Sequence, residues 1–194
     1  MLALKFGGTS VGSPEAVERL LAILADHEHA HKSRVVVVSA LSGVTDALIL
    51  AARQAAGGDS AYAASLKELE YRHRKMIRAL LSAETRKAAD ASLKKTFAEL
   101  RRTLDGIALL RELSLRSLDL VMSFGERLSA ELIARVCCGR GIPAEFLDAR
   151  PLILTDDSYG AARYRAEESY GRIRAYLKKN PALQIATGFI GATA

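Results

Sequence analysis

The sequence predicts an α/β fold: a three-layer arrangement, with a mostly parallel sheet between helices and an inserted helical hairpin. Three observations predict it. Strand-like runs alternate with helix-period segments through residues 2–56 and again through 115–187. Arg34-Val35-Val36-Val37-Val38-Ser39 is an unbroken β-branched run, the pattern of a strand buried on both faces of a parallel sheet. Residues 61–110, rich in Ala, Leu, Lys and Arg, carry only helical periodicity.

The elements follow in order. Leu2-Ala3-Leu4-Lys5-Phe6 reads as a short strand running into the glycine turn Gly7-Gly8-Thr9-Ser10. Ser13-Pro14-Glu15 opens a helix: serine as N-cap, proline in the first turn, and an acid near the positive end. Leu20, Leu21, Ile23 and Leu24 give it an apolar face that fades at His27–His31. The valine strand at 34–39 leads through Ala40-Leu41-Ser42-Gly43-Val44-Thr45 into a helix over 46–56. Gly57-Gly58-Asp59-Ser60 breaks the alternation, and two long helices broken near Ser82-Ala83-Glu84 fill 61–110. A further helix spans about 115–138. Strands follow at 144–148 and 152–155, then a helix at 165–179 and a strand at 183–187.

Composition bounds the function classes. The chain has 194 residues, 49% hydrophobic and 26% charged, which excludes disorder and low-complexity classes. No apolar run approaches the ~18 residues of a membrane span. The apolar part of the N-terminus is too short for a signal peptide. Two adjacent cysteines, Cys137 and Cys138, make no disulfide framework, so a soluble cytoplasmic protein is expected. The net charge of +6 is local: residues 66–103 hold 11 Lys+Arg and 5 Asp+Glu, and the rest of the chain balances. Those charges recur around the helices with no aromatic interleaving, so a solvated hairpin is expected rather than a nucleic-acid surface.

Two loops could carry chemistry. In Lys5-Phe6-Gly7-Gly8-Thr9-Ser10-Val11-Gly12 a strand ends, glycines admit close backbone approach, and a helix N-terminus follows, which suits a phosphate. No Lys-Ser/Thr follows Gly12, so this is not a Walker loop; Lys5 precedes the glycines and could reach the phosphate as a point charge. A plain strand–helix turn is the competing reading. Ser39, Ser42 and Thr45 in the second loop offer hydroxyls to a polar ligand at the same sheet edge, although Thr45 could simply cap its helix.

The helix at 115–138 holds a third feature. Leu118, Val121, Met122, Leu128, Leu132, Ile133 and Val136 share one apolar arc, with Gly125 in its middle and Glu126 at its edge. A mid-helix glycine costs about 1 kcal/mol against alanine, so another backbone is expected to pack there. A carboxylate at a buried margin needs a cation, either a ligand's or a surface arginine's. His27-Glu28-His29-Ala30-His31 matches H-E-x-x-H, but the only other histidine is His73, and a helix end is reason enough for this cluster. Cys137 and Cys138 read as core thiols.

Lys5-Phe6-Gly7-Gly8-Thr9-Ser10 closely resembles the opening motif of the aspartate kinases, in the amino-acid kinase superfamily. Val38-Ser39-Ala40 with Gly43-Val44-Thr45-Asp46 resembles that family's second loop, and Ser123-Phe124-Gly125-Glu126 its Gly-Glu helix. Thr187-Gly188-Phe189-Ile190-Gly191-Ala192-Thr193 resembles the segment ahead of its glycine-rich Arg/Asp loop. The likeness runs in order from residue 2 to 193. It implies the carbamate kinase-like fold of that superfamily, incomplete here. Residues 1–194 would be the N-terminal, substrate-side portion, with a helical insertion at about 60–112. The base-binding half and the ACT domains are absent, so the isolated piece is expected to be inactive.

The resemblance implies phosphoryl transfer from Mg-ATP to the side-chain carboxylate of L-aspartate, the first step toward lysine, threonine and methionine. Lys5 would be catalytic and, with Gly7, Gly8, Thr9 and Ser10, would hold the ATP phosphates. Ser39, Thr45, Glu126 and the backbone near Phe189 would hold aspartate, with Glu126 meeting its ammonium or orienting Lys5. Mg2+ would ride on the nucleotide, with no protein metal site. A homo-oligomeric full-length form, without nucleic-acid or membrane partners, is the further expectation. A related kinase with another carboxylate acceptor, or a non-catalytic or basic binding module, are the alternatives.

Overall fold

The structure is a computed structural model that describes residues 2–26 and 33–193. The H-E-x-x-H cluster at 27–31 lies outside them. In chain order the elements are β1 (Leu2–Phe6), α1 (Gly8–Val11), α2 (Pro14–Ala25), β2 (Ser33–Val38), α3 (Val44–Ala56), α4 (Tyr62–Leu80) and α5 (Ala83–Leu110). Then come α6 (Leu115–Gly139), β3 (Ala144–Leu147), β4 (Leu154–Thr155), α7 (Ala166–Lys179), β5 (Leu183–Thr187) and β6 (Ala192–Thr193). The strand–helix order matches the sequence reading. The two elements it did not anticipate are the single turn α1 and the two-residue β6, both too short to show a period.

The main sheet runs β1-β2-β5-β3, every neighbour parallel. A second parallel pair joins β4 to β6. Parallel strands put all their carboxyl ends on one edge, so the loops after β1, β2, β3 and β5 gather there. Val36 and Val38 of β2 and Ile185 of β5 are buried in the main core with the helices α2 to α6. The opposite face carries Gln184, which bonds Tyr176 of α7 at 3.1 Å and Glu145 of β3 at 2.9 Å. Helices therefore cover both faces, as the three-layer expectation requires.

Capping follows the local chemistry. Ser13 Oγ accepts from Ala16 N, and Pro14 takes the first helical position, where its missing N–H has no intrahelical partner to lose. Helix α3 begins two residues earlier than the periodicity suggests. Gly43 stands at its N-cap with φ 75°, and no side chain caps it. Thr45 is thus inside the first turn and does not do the capping that was one reading of it.

The hairpin α4–α5 is less solvated than its charge suggests. Leu66, Leu69, Met76, Ile77 and Leu80 of α4, and Leu93, Phe97, Leu100, Leu104 and Ile107 of α5, join the main core. The lysines, with Arg78 and Arg102, lie on the exposed faces, as amphipathic periodicity permits, while Arg72, Arg74, Arg86 and Arg101 are half-buried. Cys137 is buried, and burial pushes its thiol up to about 12. Cys138 instead lies at the exposed end of α6, its thiol donating to Ala144 O.

His73 of α4 is 1% exposed. Its Nδ1 bonds Leu69 O at 2.7 Å and its ring meets Phe97 edge-on at 5.7 Å. Nε2 has no partner beside a cavity of about 20 Å³ flanked by Glu131 and Arg135, room for roughly one water. Burial holds the imidazole neutral, with its pKa lowered to about 4. The unfolded chain binds this proton near pH 6.5, so the native state loses stability as the pH falls from 6.5 to 4. The loss is about 3 kcal/mol for the 2.5-unit difference. Urea titrations across that window are expected to show the slope, and His73→Leu is expected to flatten it.

Candidate active site

Lys5 is the fourth residue of β1, paired with Val37 across the ladder. The chain then leaves the sheet edge as Gly7 and turns through α1. Ser39 N donates to Phe6 O at 3.2 Å, and Ser42 N to Gly8 O at 3.2 Å, so the two loops are joined by their backbones. A Cβ on Gly8 would stand 2.9 Å from Ala40 O, and one on Gly12 2.9 Å from Gly8 O. These glycines are required by close packing between the loops. Gly7 differs: a Cβ there would meet nothing within 4 Å, so the space above it is open.

The helix α6 reaches the same place from below the sheet edge. A Cβ on Gly125 would lie 2.8 Å from the Cβ of Ala40, and within 3.5 Å of Leu48 and Val44. The close neighbours are side chains of the second loop and of α3, rather than the backbone that was expected there. This contact puts Glu126, 8% exposed, under Ala40, whose N–H donates to Oε1 at 3.4 Å. Burial raises the carboxyl's pKa above its ordinary value, although two backbone N–H groups pull it back down. Glu126 has no ion pair among the described residues. The surface-arginine reading belongs instead to its neighbour: Arg127 pairs with Glu99 of α5 at 2.8 Å and stacks on Phe124 at 4.6 Å.

The loop after β5 completes the edge. Gly188 N donates to Val38 O at 2.9 Å, and Phe189 follows with φ 51°. The Phe189 ring is 84% exposed, and Lys5 Nζ sits 4.7 Å from its centroid. Lys5 thus meets Phe189 directly, while Gly8 and Glu126 both lie against Ala40 and Ser39 bonds Phe6, which ties the five residues to the ends of β1, β2 and β5 through their chain neighbours. Thr9 and Ser10 lie in α1 beside them, and Thr45 in the first turn of α3.

Several residues here were not singled out in the sequence. Asp148 and Arg150, just past β3, form an ion pair at 2.6 Å that lowers the carboxyl's pKa against the cost of its burial. With Leu154, Arg172 and Thr193 they line a cleft of about 430 Å³. Thr187 Oγ1, accepting from Ala149 N at 2.9 Å, fixes that loop to the end of β5. The signal available for these was positional: Asp-Ala-Arg directly follows a strand, on the edge where ligands bind. Arg72 was also missed. The hairpin is not remote from the loops, because Arg72 Nη1 would be 3.7 Å from a Cβ on Gly43.

The comparisons with known proteins agree with this architecture. The family model described as "Amino acid kinase family" matches residues 1–194. The chain is 32% identical over 193 residues to Aspartokinase 1, chloroplastic, of Arabidopsis thaliana, covering 97% of this chain and 33% of that protein. It is 31% identical over 198 residues to the Aspartokinase of Chlamydia muridarum, covering 100% of this chain and 40% of that one. The chain thus spans about a third of the length of these curated relatives. Among solved structures, E. coli aspartokinase III in complex with aspartate and ADP has the same fold, with a TM-score of 0.86 at 24% identity over 98% of this chain and 41% of that chain.

Proposed function

This chain belongs to the amino acid kinase family, and from that premise we propose that it is the substrate-side part of an aspartate kinase. The reaction is transfer of the γ-phosphoryl of Mg-ATP to the side-chain carboxylate of L-aspartate, giving 4-phospho-L-aspartate at the head of lysine, threonine and methionine synthesis. The observation that carries the reading is the buried Glu126, without an ion pair among the described residues and held through Ala40 beneath the loop next to Lys5. A buried carboxylate without a cation is costly unless a ligand supplies one. The ammonium of an amino acid does so.

In this reading the chain's own groups position and neutralise, which is most of what phosphoryl transfer needs. Lys5 places its charge on the transferring phosphoryl. Gly7, open above, with Gly8, Thr9 and Ser10, receives phosphate oxygens on N–H and hydroxyl groups. Ser39 and Thr45 hold the aspartate, Glu126 meets its ammonium, and the backbone at Phe189 closes one side. ATP supplies the activated phosphoryl group. The open space over Gly7 and the exposed ammonium of Lys5 fit its phosphates. We assign Mg2+ to the nucleotide, with no resident protein site. The family reading also supports a homo-oligomeric native-length protein acting without nucleic acid or membrane. No described helix is long and apolar enough to cross a bilayer. We place the reaction in the cytoplasm on the two free cysteines.

Incubating the native-length protein with Mg-ATP, hydroxylamine and single amino acids tests the proposal, because hydroxylamine traps an acyl phosphate as a hydroxamate. Product is expected with L-aspartate. Product only with a different carboxylate would move the chain to another branch of the family. Glu126→Ala is expected to weaken aspartate binding about tenfold or more, the cost of removing a charged partner. Calorimetry of the parent chain in two buffers adds a sign: the ligand's ammonium lowers the raised Glu126 carboxyl, so binding releases protons at mildly acidic pH. Unchanged affinity in Glu126→Ala would take Glu126 out of the site.

A further inference from the structure

Phe189 combines two costs that no packing role repays, on a loop fixed at both ends. Its ring is 84% exposed. Its backbone is left-handed at φ 51°, which costs a non-glycine residue roughly 1–2 kcal/mol. Both flanks are tightly fixed. Gly188 donates to Val38 O and is tightly packed, since a Cβ would lie 3.1 Å from that oxygen. At Gly191 a Cβ would lie 2.8 Å from Ile153 O, and Ala192 N donates to the same carbonyl at 2.9 Å. The loop is therefore pinned to β2 on one side and to the start of β4 on the other. Strain held in place by its surroundings points to a function at the strained residue. What the strained turn presents is the ring face, 4.7 Å from Lys5 Nζ.

We propose that Phe189 is a positioning residue for Lys5: its ring face holds the ammonium at the sheet edge, pre-set to receive a phosphoryl oxygen. This rests on the phosphate role given to Lys5 above and adds a side-chain task to a residue so far assigned only through its backbone. Lysine has four rotatable side-chain bonds and loses up to ~2 kcal/mol of rotamer freedom when fixed. A ring against one face of the ammonium restricts that freedom before the ligand arrives. The ammonium's other protons stay free to donate. Because the contact sits on a pinned loop, the lysine's position is tied to β2 and β5 as well as to its own strand.

The ring and the backbone separate experimentally. Phe189→Asn keeps a residue that tolerates left-handed φ while removing the ring, and Phe189→Tyr keeps the ring. In the parent chain the Lys5 ε-methylene NMR resonances are expected upfield of the other lysines, shifted by the ring. They are expected to return to the common position in Phe189→Asn and to stay upfield in Phe189→Tyr. Calorimetry with inorganic pyrophosphate is expected to show binding weakened about three- to fivefold in Phe189→Asn and restored in Phe189→Tyr. A parent Lys5 resonance at the common position, or equal pyrophosphate affinity in Phe189→Asn and parent, would overturn the proposal. If Lys5→Met binds pyrophosphate as tightly as the parent, the phosphate role of Lys5 fails and the positioning role falls with it. If Lys5→Met is weak and only the Phe189 variants are silent, the positioning role fails alone.

Discussion

Lys5→Ala is expected to lower turnover of the native-length protein by about a thousandfold or more, with the fold intact. The rate effect is what loss of one pre-placed charge stabiliser costs a reaction that relies on such groups. The fold is spared because the Lys5 side chain is exposed and its described contact is the ring of Phe189. Substitution of an exposed residue without a packing role moves stability by about 0.5 kcal/mol at most. Release of ADP, read beside a thermal melt, separates the two quantities. Near-parental turnover would remove Lys5 from the chemistry. Lys5→Arg is expected to restore little, since a planar guanidinium on a longer stem replaces a compact ammonium.

Gly125→Val and Gly106→Ala are expected to change stability in opposite directions, although both replace a glycine inside a long helix. At Gly125 even a Cβ would sit 2.8 Å from that of Ala40, so valine overpacks the junction of α6 with the second loop. A cost of about 3 kcal/mol follows. The displaced Ala40 also carries the N–H that holds Glu126, so under the proposed role of Glu126 aspartate binding is expected to weaken with it. At Gly106 of α5 a Cβ meets nothing within 4 Å, and alanine recovers up to about 1 kcal/mol of helix propensity. Chemical denaturation of both variants distinguishes a glycine kept for contact from one that is merely tolerated. Equal effects would refute the packing account of Gly125.

What was legible in the chain were features with a local physical cause. The valine run announced β2, Ser13-Pro14 announced the start of α2, and a glycine inside the apolar arc of α6 announced a close neighbour. Lys5 and Glu126 were legible as a pair of oddities: a lysine ending a strand, and a carboxylate at a buried margin. The remainder depended on contacts between distant segments. Nothing in the residues around Glu126 says that its backbone partner is Ala40, 86 positions away. The ion pair of Asp148 with Arg150 was spelled out in sequence, but its place on the edge needed the strand order. Arg72 was hidden by the charge count of its hairpin, which averages over a face that touches the second loop. The left-handed backbone of Phe189 had no marker, because φ there is imposed by its pinned neighbours.

The strand order also bears on how the molecule assembles. β5 lies between β2 and β3, yet it is made last of the four. Val36 pairs with Ile185, about 150 residues later in the chain. Until that stretch leaves the ribosome, β2 keeps one edge of unpaired N–H and C=O groups, a template for wrong partners. Closing so long a loop is entropically slow, and pairing of this kind sets folding time more than helix formation does. The hairpin α4–α5 pairs two helices adjacent in the chain and is expected to form before the β2–β5 pairing. Nascent chains ending before residue 183 therefore carry helices without a closed sheet, and they are the species that chaperones would meet.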